Sequence, residues 1–254
     1  MTTLDQQDLT ADFKRLGLET GDTLFVHSSL SCIGHVQGGA DTVIAALRSV
    51  LGDEGTLAAP AFTYEDDPDI FDIANHPSGM GQISEHIRTH PQSRRSAHRQ
   101  HSISAIGPNT EALTTHGPSA WAADGPFWQL VALDARILML GVGYTACTFF
   151  HLIEQLVQVP YREWKYLDGI LREADGSERP LPTRTFAQTS WSKGNDFNKF
   201  GRIRIRLHPF PEVRRGPLLF RFCLFLILGL VLGHVGMISA TRHEPDNNTH
   251  NRHS

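Results

Sequence analysis

DTLFVHSSLSCIGHVQGGADTVIAALRSVLGDEGTLAAPAF, residues Asp22–Phe62, decides the fold. Asp22–His27 is a short run of β-favouring apolar residues and reads as a strand, with Ser28-Ser29-Leu30 at its carboxyl end. Gly38-Gly39 precede Ala40–Leu51, where Val43, Ile44, Leu47, Val50 and Leu51 recur at helical spacing. Gly52 and Gly55 flank the next turn, and Thr56–Phe62 (TLAAPAF) reads as a second buried strand. Strand, helix and strand in direct succession form a βαβ unit, which makes an α/β fold with a parallel sheet the expected class.

Working outward, residues 5–16 read as a helix with Leu9, Phe13 and Leu16 on one stripe and Gly17 at its end. Residues 64–81 read as a surface loop carrying five acids from Glu65 to Asp72. A helix is expected over 82–89, a strand over His98–Ile106, and a helix or turn near 109–116. A short amphipathic helix opens at Gly125-Pro126, and Ile137–Leu140 is the next strand. Residues 164–190 suggest a hairpin about Asp175-Gly176, with Ile170 and Leu171 against Leu181.

At 254 residues, 40% hydrophobic and 20% charged, with mean hydropathy −0.23, the composition is that of a globular protein able to bury a core. The formal charge of −4 is unevenly distributed. Residues 201–254 hold eight arginines, no lysine and three acids, a formal +5 that leaves −9 on residues 1–200. An acidic body argues against nucleic acid and suits a cationic small molecule, although such a charge also serves solubility alone. Cys32, Cys147 and Cys223 are widely spaced, without paired or CxxC patterns, which points to a reducing compartment and no zinc knuckle. The N-terminal MTTLDQQDLTADF lacks the basic and apolar regions of a secretion signal, so a cytoplasmic location is expected. Pro217–Gly233 is apolar but contains Arg221, and its length is at or below the roughly 20 residues that span a bilayer, so a membrane role is not expected.

Three constellations carry chemistry. In Ile137–Arg162 (ILMLGVGYTACTFFHLIEQLVQVPYR), an apolar strand turns at Gly141-Val142-Gly143, and Thr148, His151 and Glu154 follow at intervals of three. On a helix starting near Thr145 or Thr148 they lie close to one face. A neutral imidazole held by a carboxylate can take a proton from an ammonium group near neutral pH, and a threonine one turn earlier can steer an acceptor or donate to an oxyanion. From spacing alone, a partly buried histidine capped by a glutamate is the simpler reading. No second histidine sits at a metal-helix offset, so zinc is not expected. His27-Ser28-Ser29, ahead of Gly38-Gly39, lies where parallel sheets bind ligands, but it matches neither phosphate-loop pattern and also reads as a plain strand-to-loop turn. Arg94-Arg95 with His98, His101 and Ser102 could meet phosphates or form a solvated surface turn.

Taken together, Val26–Thr63 (VHSSLSCIGHVQGGADTVIAALRSVLGDEGTLAAPAFT), Arg94–Gly107 (RRSAHRQHSISAIG) and Ile137–Arg162 resemble the aminoglycoside N3-acetyltransferases, the antibiotic N-acetyltransferase family, in order and spacing. The resemblance covers about Leu9 to Arg162, with a fainter match at Asp196-Phe197. It implies a mixed, largely parallel central sheet flanked by helices, distinct from the common acetyltransferase fold. It further implies acetyl-CoA as donor and the 3-amino group of the deoxystreptamine ring of a cationic aminoglycoside as acceptor. By motif position His151 is the general base, Glu154 its orienting or substrate-binding carboxylate, and Thr148 lies at the site's edge. His27, Ser28, Ser29, Leu30 and Val36 should line the pantetheine arm, with Ser102 facing the same channel. Direct transfer in a ternary complex is implied, with neither metal nor acyl-enzyme. Acetyl transfer to another amine, or coenzyme A binding without turnover, are the alternatives that a shared scaffold leaves open.

Two departures stand out. Arg99 occupies a position where the family usually has proline, and the character of the chain changes after Phe200. The expected organisation is an acetyltransferase domain over 1–200, incomplete at its C-terminal side. An atypical Arg-rich and hydrophobic tail follows over 201–254, attributed to a reading-frame shift, with a membrane-anchored variant as the alternative.

Overall fold

The computed structural model describes residues 3–63, 69–115, 117–189, 197 and 218–221. Strand β1 (Thr3–Leu4) leads into helix α1 (Gln6–Arg15). Asp5 caps α1 because its carboxylate accepts from the Asp8 N–H while the Asp8 carboxylate accepts from the Asp5 N–H, satisfying two donors at once. The decisive stretch then forms β2 (Thr23–Ser28), the short β3 (His35–Val36), α2 (Gly39–Leu51) and β4 (Thr56–Pro60). β2 and β4 are parallel neighbours, with Thr23 opposite Thr56, so the βαβ reading holds.

Downstream come β5 (Ile70–Asp72), α3 (Gln82–Thr89), β6 (Arg94–Arg95), β7 (Ile103–Ile106), α4 (Thr110–Leu113), α5 (Pro126–Ala132) and β8 (Arg136–Leu140). After these lie α6 (Phe150–Leu156), β9 (Arg162–Tyr166), β10 (Gly169–Arg172), β11 (Glu178–Leu181), β12 (Arg184–Gln188) and β13 (Leu218–Arg221). The main sheet runs β13-β8-β2-β4-β7-β6. β2 is parallel to both β8 and β4, whereas β7 opposes β4 and β6, and β13 opposes β8. The sheet is therefore mixed, and four of its six described strands point the same way.

Both faces of the sheet are covered, which explains why its central strands read as unbroken apolar runs rather than as alternation. Leu24, Val26, Leu57, Ala59, Leu138 and Leu140 pack with the apolar side chains of α1, α2 and α3. Phe25, Ala58, Ile137 and Met139 point the other way and pack with Trp121, Phe127, Leu130, Phe149 and Leu152. The second layer carries α5 and α6, so the sheet fixes the position of the His151 helix from below.

Several boundaries and pairings differ from expectation. The strand expected over His98–Ile106 begins only at Ile103, because the polar residues before it are spent on a buried turn. There the His98 ring Nδ1 accepts from the His101 N–H at 3.1 Å, and Ser96 Oγ accepts from the Ile103 N–H at 2.8 Å. The helix bearing His151 begins at Phe150, after a 3-10 turn over Tyr144–Ala146, so Thr148 lies in the turn before the helix rather than on it. The hairpin about Asp175-Gly176 forms from β10 and β11, but Leu181 lies opposite Gly169, while Ile170 and Leu171 face Pro180 and Arg179 instead. β9 and β12 make a separate antiparallel ribbon. The surface loop expected over 64–81 is interrupted by β5, which pairs with β10 and buries Phe71 and Asp72; residues 64–68 and most of 201–254 lie outside the described residues, and of that tail only β13 is described, at the β8 edge.

Gly141 ends β8 at φ +72°, and a Cβ there would come within 2.8 Å of the Ser29 carbonyl oxygen and 2.9 Å of Ile33 Cγ2. Gly141→Ala combines a left-handed conformation with overpacking and should cost roughly 2 kcal/mol or more. Urea denaturation checks this: the midpoint should fall while the slope stays constant.

Candidate active site

The carboxyl ends of β2 and β8 lie side by side, with Ser28 opposite Leu140, and the chain leaves each strand in a tight turn. The Ser29 N–H donates to the Leu140 carbonyl at 2.9 Å, which ties the 29–32 turn to the segment that leads to His151. This is the edge at which parallel α/β sheets place their ligands.

His151 sits in the first turn of α6, and its backbone N–H donates to the Thr148 carbonyl at 3.0 Å. Its Nδ1 lies 2.5 Å from Glu154 Oε2. Three residues of helix place the two side chains on adjacent turns, as the spacing implies. Arg162 Nη2 is also 3.1 Å from the same Nδ1. A carboxylate can only accept and a guanidinium can only donate, so one nitrogen cannot serve both. The shorter, charge-assisted contact decides: Nδ1 carries a hydrogen and donates to Glu154, which in the neutral ring leaves the lone pair on Nε2. The His151 side chain is 23% exposed, so that lone pair belongs to a group the solvent side can reach.

Glu154 is buried, hydrogen-bonded by His151 and Tyr161 and ion-paired with Arg162. Arg162 Nε is 2.9 Å from Oε2, and the Tyr161 hydroxyl donates to Oε1 at 2.9 Å. Burial pushes the carboxyl up, but the hydrogen bond and charge of His151, the Arg162 guanidinium and the Tyr161 hydroxyl outweigh it and hold Glu154 below its ordinary value. Burial and the Glu154 carboxylate together push the Tyr161 phenol up to about 12, so it stays a donor. Tyr161 and Arg162 went unassigned from sequence. Pro160 and the break after α6 hide their return to the helix, and the only sequence signal was their place at the end of the motif.

Aromatic rings wall the site. Trp121 meets the His151 ring edge-on with centroids 5.4 Å apart, and Phe197 approaches it at 5.8 Å while stacking on Phe150 at 4.6 Å. His101 lies 4.2 Å from Trp121. His27 is buried, its pKa pushed down to about 3 by desolvation and then by the His151 charge. His101 is held well below its ordinary value by desolvation and by the neighbouring His98, His151 and Arg162 charges. His27 Nε2, His101 Nδ1, Trp121 Nε1 and Thr148 Oγ1 are buried without a hydrogen-bond partner among the described residues.

The other expected site residues are placed as follows. Ser29 Oγ is within 3.3 Å of Ser31 Oγ and 3.2 Å of Cys32 Sγ, in the exposed turn. Leu30 packs against the α2-side core, and Val36 is buried within it. Ser102 is fully buried, donating to the Ala61 carbonyl at 2.7 Å and accepting from Arg95 Nε at 3.0 Å. Arg95 fits neither reading made from its sequence. It is buried, donates to the His76 and Ala61 carbonyls and to Thr63 Oγ1, and lies over the Phe71 ring. It serves as an internal clamp; Arg94 alone is exposed. Desolvation leads in lowering Arg95 to about 9. Among the described residues, no cluster of His, Cys, Asp or Glu is arranged to hold a metal, and no helix is long and apolar enough to cross a membrane.

The architecture is that of a known class of acyl-transferring enzymes. AAC-IIIb, solved in a binary complex with CoASH, superposes with a TM-score of 0.70 at 25% identity, covering 81% of this chain and 85% of that one. Aminoglycoside N(3)-acetyltransferase VII of Streptomyces paromomycinus is 35% identical over 179 residues, 60% of this chain and 60% of that protein. Aminoglycoside N(3)-acetyltransferase III of Salmonella sp is 32% identical over 217 residues, 77% of this chain and 72% of that protein. A family profile described as aminoglycoside 3-N-acetyltransferase matches residues 25–209. The chain belongs to the aminoglycoside 3-N-acetyltransferase family, and its match spans three-fifths of the length of the Streptomyces relative.

Burying neutral histidines has a cost in acid. His98 is pushed down to about 4 by desolvation, against a hydrogen bond to the Arg184 carbonyl, and His27 to about 3. Unfolded, both bind a proton near pH 6.5, so below that value the unfolded state holds more protons and stability falls. Each contributes up to about 1.4 kcal/mol per pH unit on the way down. The depressed Glu154 adds stability above the ordinary carboxylate range, and that gain disappears as pH falls through its folded-state value. Urea midpoints at about pH 7.5 and about pH 5.5 should differ markedly; equal midpoints would show that these histidines are not held neutral.

Proposed function

We infer that the chain transfers an acetyl group from acetyl-CoA to the 3-amino group of the 2-deoxystreptamine ring of an aminoglycoside. The observation that carries this reading is the His151–Glu154 pair: a carboxylate fixes the Nδ1–H tautomer and leaves Nε2 as a proton acceptor at the sheet's carboxyl edge. The family membership and the names of the relatives supply the reaction class and the acceptor.

The acceptor arrives as an ammonium group, which has no lone pair to attack with. His151 takes the proton at Nε2, and the imidazolium that forms is balanced by Glu154 at 2.5 Å. The aromatic wall of Trp121 and Phe197 excludes water from one side of the ring, which strengthens that electrostatic balance. Thr148 Oγ1 is a buried hydroxyl without a described partner, suited to donate to a carbonyl oxygen as negative charge develops there. When bound, acetyl-CoA would supply the acyl group as a thioester: the C–S bond would break as the C–N bond forms, and the leaving thiolate would take a proton back from the His151 imidazolium. The residues around its expected arm suit a narrow polar chain: Ser29 and Ser31 lie in an open turn, and His27 Nε2 is an orphaned buried polar atom that a ligand can satisfy. The −9 body favours approach of a polycationic acceptor.

A thiol-release assay with acetyl-CoA and deoxystreptamine aminoglycosides tests the reading. Turnover should fall by about a hundredfold to ten-thousandfold in His151→Ala. Acetylation of unrelated amines only, or coenzyme A binding without turnover, would overturn it.

A further inference from the structure

Gln155 follows Glu154 on α6 and is buried although its side chain is polar. Both ends of its amide are engaged, and both by one short segment. Oε1 accepts from the Ser119 hydroxyl at 3.0 Å, and Nε2 donates to the Trp121 carbonyl at 3.1 Å. A carbonyl oxygen only accepts, so the amide nitrogen must face Trp121, and one orientation of the amide satisfies both partners.

The segment so held, 118–125, lies between α4 and α5 and carries Trp121 into the site. Further ties fix it at its start and its end: the Pro118 carbonyl accepts from the Arg184 N–H at 2.6 Å, and the Ala120 carbonyl accepts from the Phe127 N–H at 3.1 Å. The indole is buried among three rings, with centroids 5.4 Å from Phe127, 4.2 Å from His101 and 5.4 Å from His151. His151 and Gln155 are four residues apart on α6 and therefore share a face of the helix. That face grips Trp121 twice, since Gln155 holds its carbonyl while the His151 ring meets its indole edge-on at 82°. Ring contacts resist separation but tolerate sliding, whereas a hydrogen bond also fixes direction.

We propose that Gln155 is a positioning residue for the acetyl transfer, which holds the Trp121 backbone through Nε2 and so fixes the indole wall against the His151 ring. This rests on the reading of His151 as the base. Without the tie, the indole is free to draw back from α6, and water gains the side of the imidazole that it covers. The imidazole then also has more room about its broad terminal torsion. Proton transfer depends on a narrow range of geometry, so a small displacement at the base is costly.

Gln155→Met keeps a chain of similar length and removes both hydrogen bonds, whereas Ser119→Ala removes only the one to Oε1. In the thiol-release assay with the full chain, Gln155→Met should lose about tenfold in kcat with KM for the aminoglycoside nearly constant, and Ser119→Ala should stay within about twofold of the parent. Proton NMR of the His151 ring, assigned by its loss in His151→Ala, gives a readout independent of turnover. The indole ring current displaces those resonances; the displacement should shrink in Gln155→Met and persist in Ser119→Ala. A Gln155→Met protein that is less stable in urea yet keeps the parent kcat and His151 resonances would make Gln155 a structural residue only and overturn the proposal. An equal loss in Ser119→Ala would overturn it too, because the tie to Trp121 would not be the one that matters. If Gln155→Met fails to fold, Gln155→Asn, whose amide is one methylene short of the Trp121 carbonyl, carries the same two expectations. A parent that turns over no aminoglycoside while the resonances behave as expected defeats the functional reading and leaves the positioning role standing.

Discussion

A single buried carboxylate ties the functional half of this protein together. Desolvation alone pushes the Glu154 carboxyl above its ordinary value and so works against its charge. Three groups from three places in the chain prevent that: His151 from the same helix, Tyr161 from the turn after it, and Arg162 from a separate ribbon. Each donor is worth little in water and much more inside, where the dielectric is low. The His151 helix, the loop that follows it and the β9–β12 ribbon are therefore energetically coupled through one side chain.

The rest of the architecture brings that carboxylate to the right edge. β2 and β8 are adjacent and parallel, and their carboxyl ends release the Ser29 turn and the 141–149 segment at the same level. Gly141 lets those two segments approach more closely than any side chain would permit. Beneath them, Ile137 and Met139 of β8 share one apolar layer with Trp121, Phe149 and Leu152, so the helix bearing His151 rests on the same strand that precedes it. Arg95 does similar work on the other side, joining carbonyls from the ends of separate segments into one rigid rim.

Several buried polar groups in the site have no described partner, and they lie on the His151 side of the sheet: His27, His101, Trp121 and Thr148. An orphaned buried donor or acceptor ordinarily costs about 1–3 kcal/mol. Here four of them lie on the side of the sheet that carries the His151–Glu154 pair, and others, such as Ser84 and Thr110, lie elsewhere in the fold.

Local chemistry in the sequence determined much of this. The β2–α2–β4 unit was legible because its glycines, apolar runs and helical spacing are short-range signals, and the His151–Glu154 pair was legible because helical periodicity converts a three-residue interval into contact. Tertiary structure decided what crosses long distances. Tyr161 and Arg162 reach Glu154 only because the ribbon pairs residues 162–166 with 184–188. Arg95 looked like a surface cation because nothing local reports the carbonyls that converge on it. The turn at His98–Ser102 displaced an expected strand because its side chains found backbone partners that a propensity argument cannot see. A histidine's tautomer likewise follows from which donors and acceptors the fold brings together, and only the folded chain brings them together.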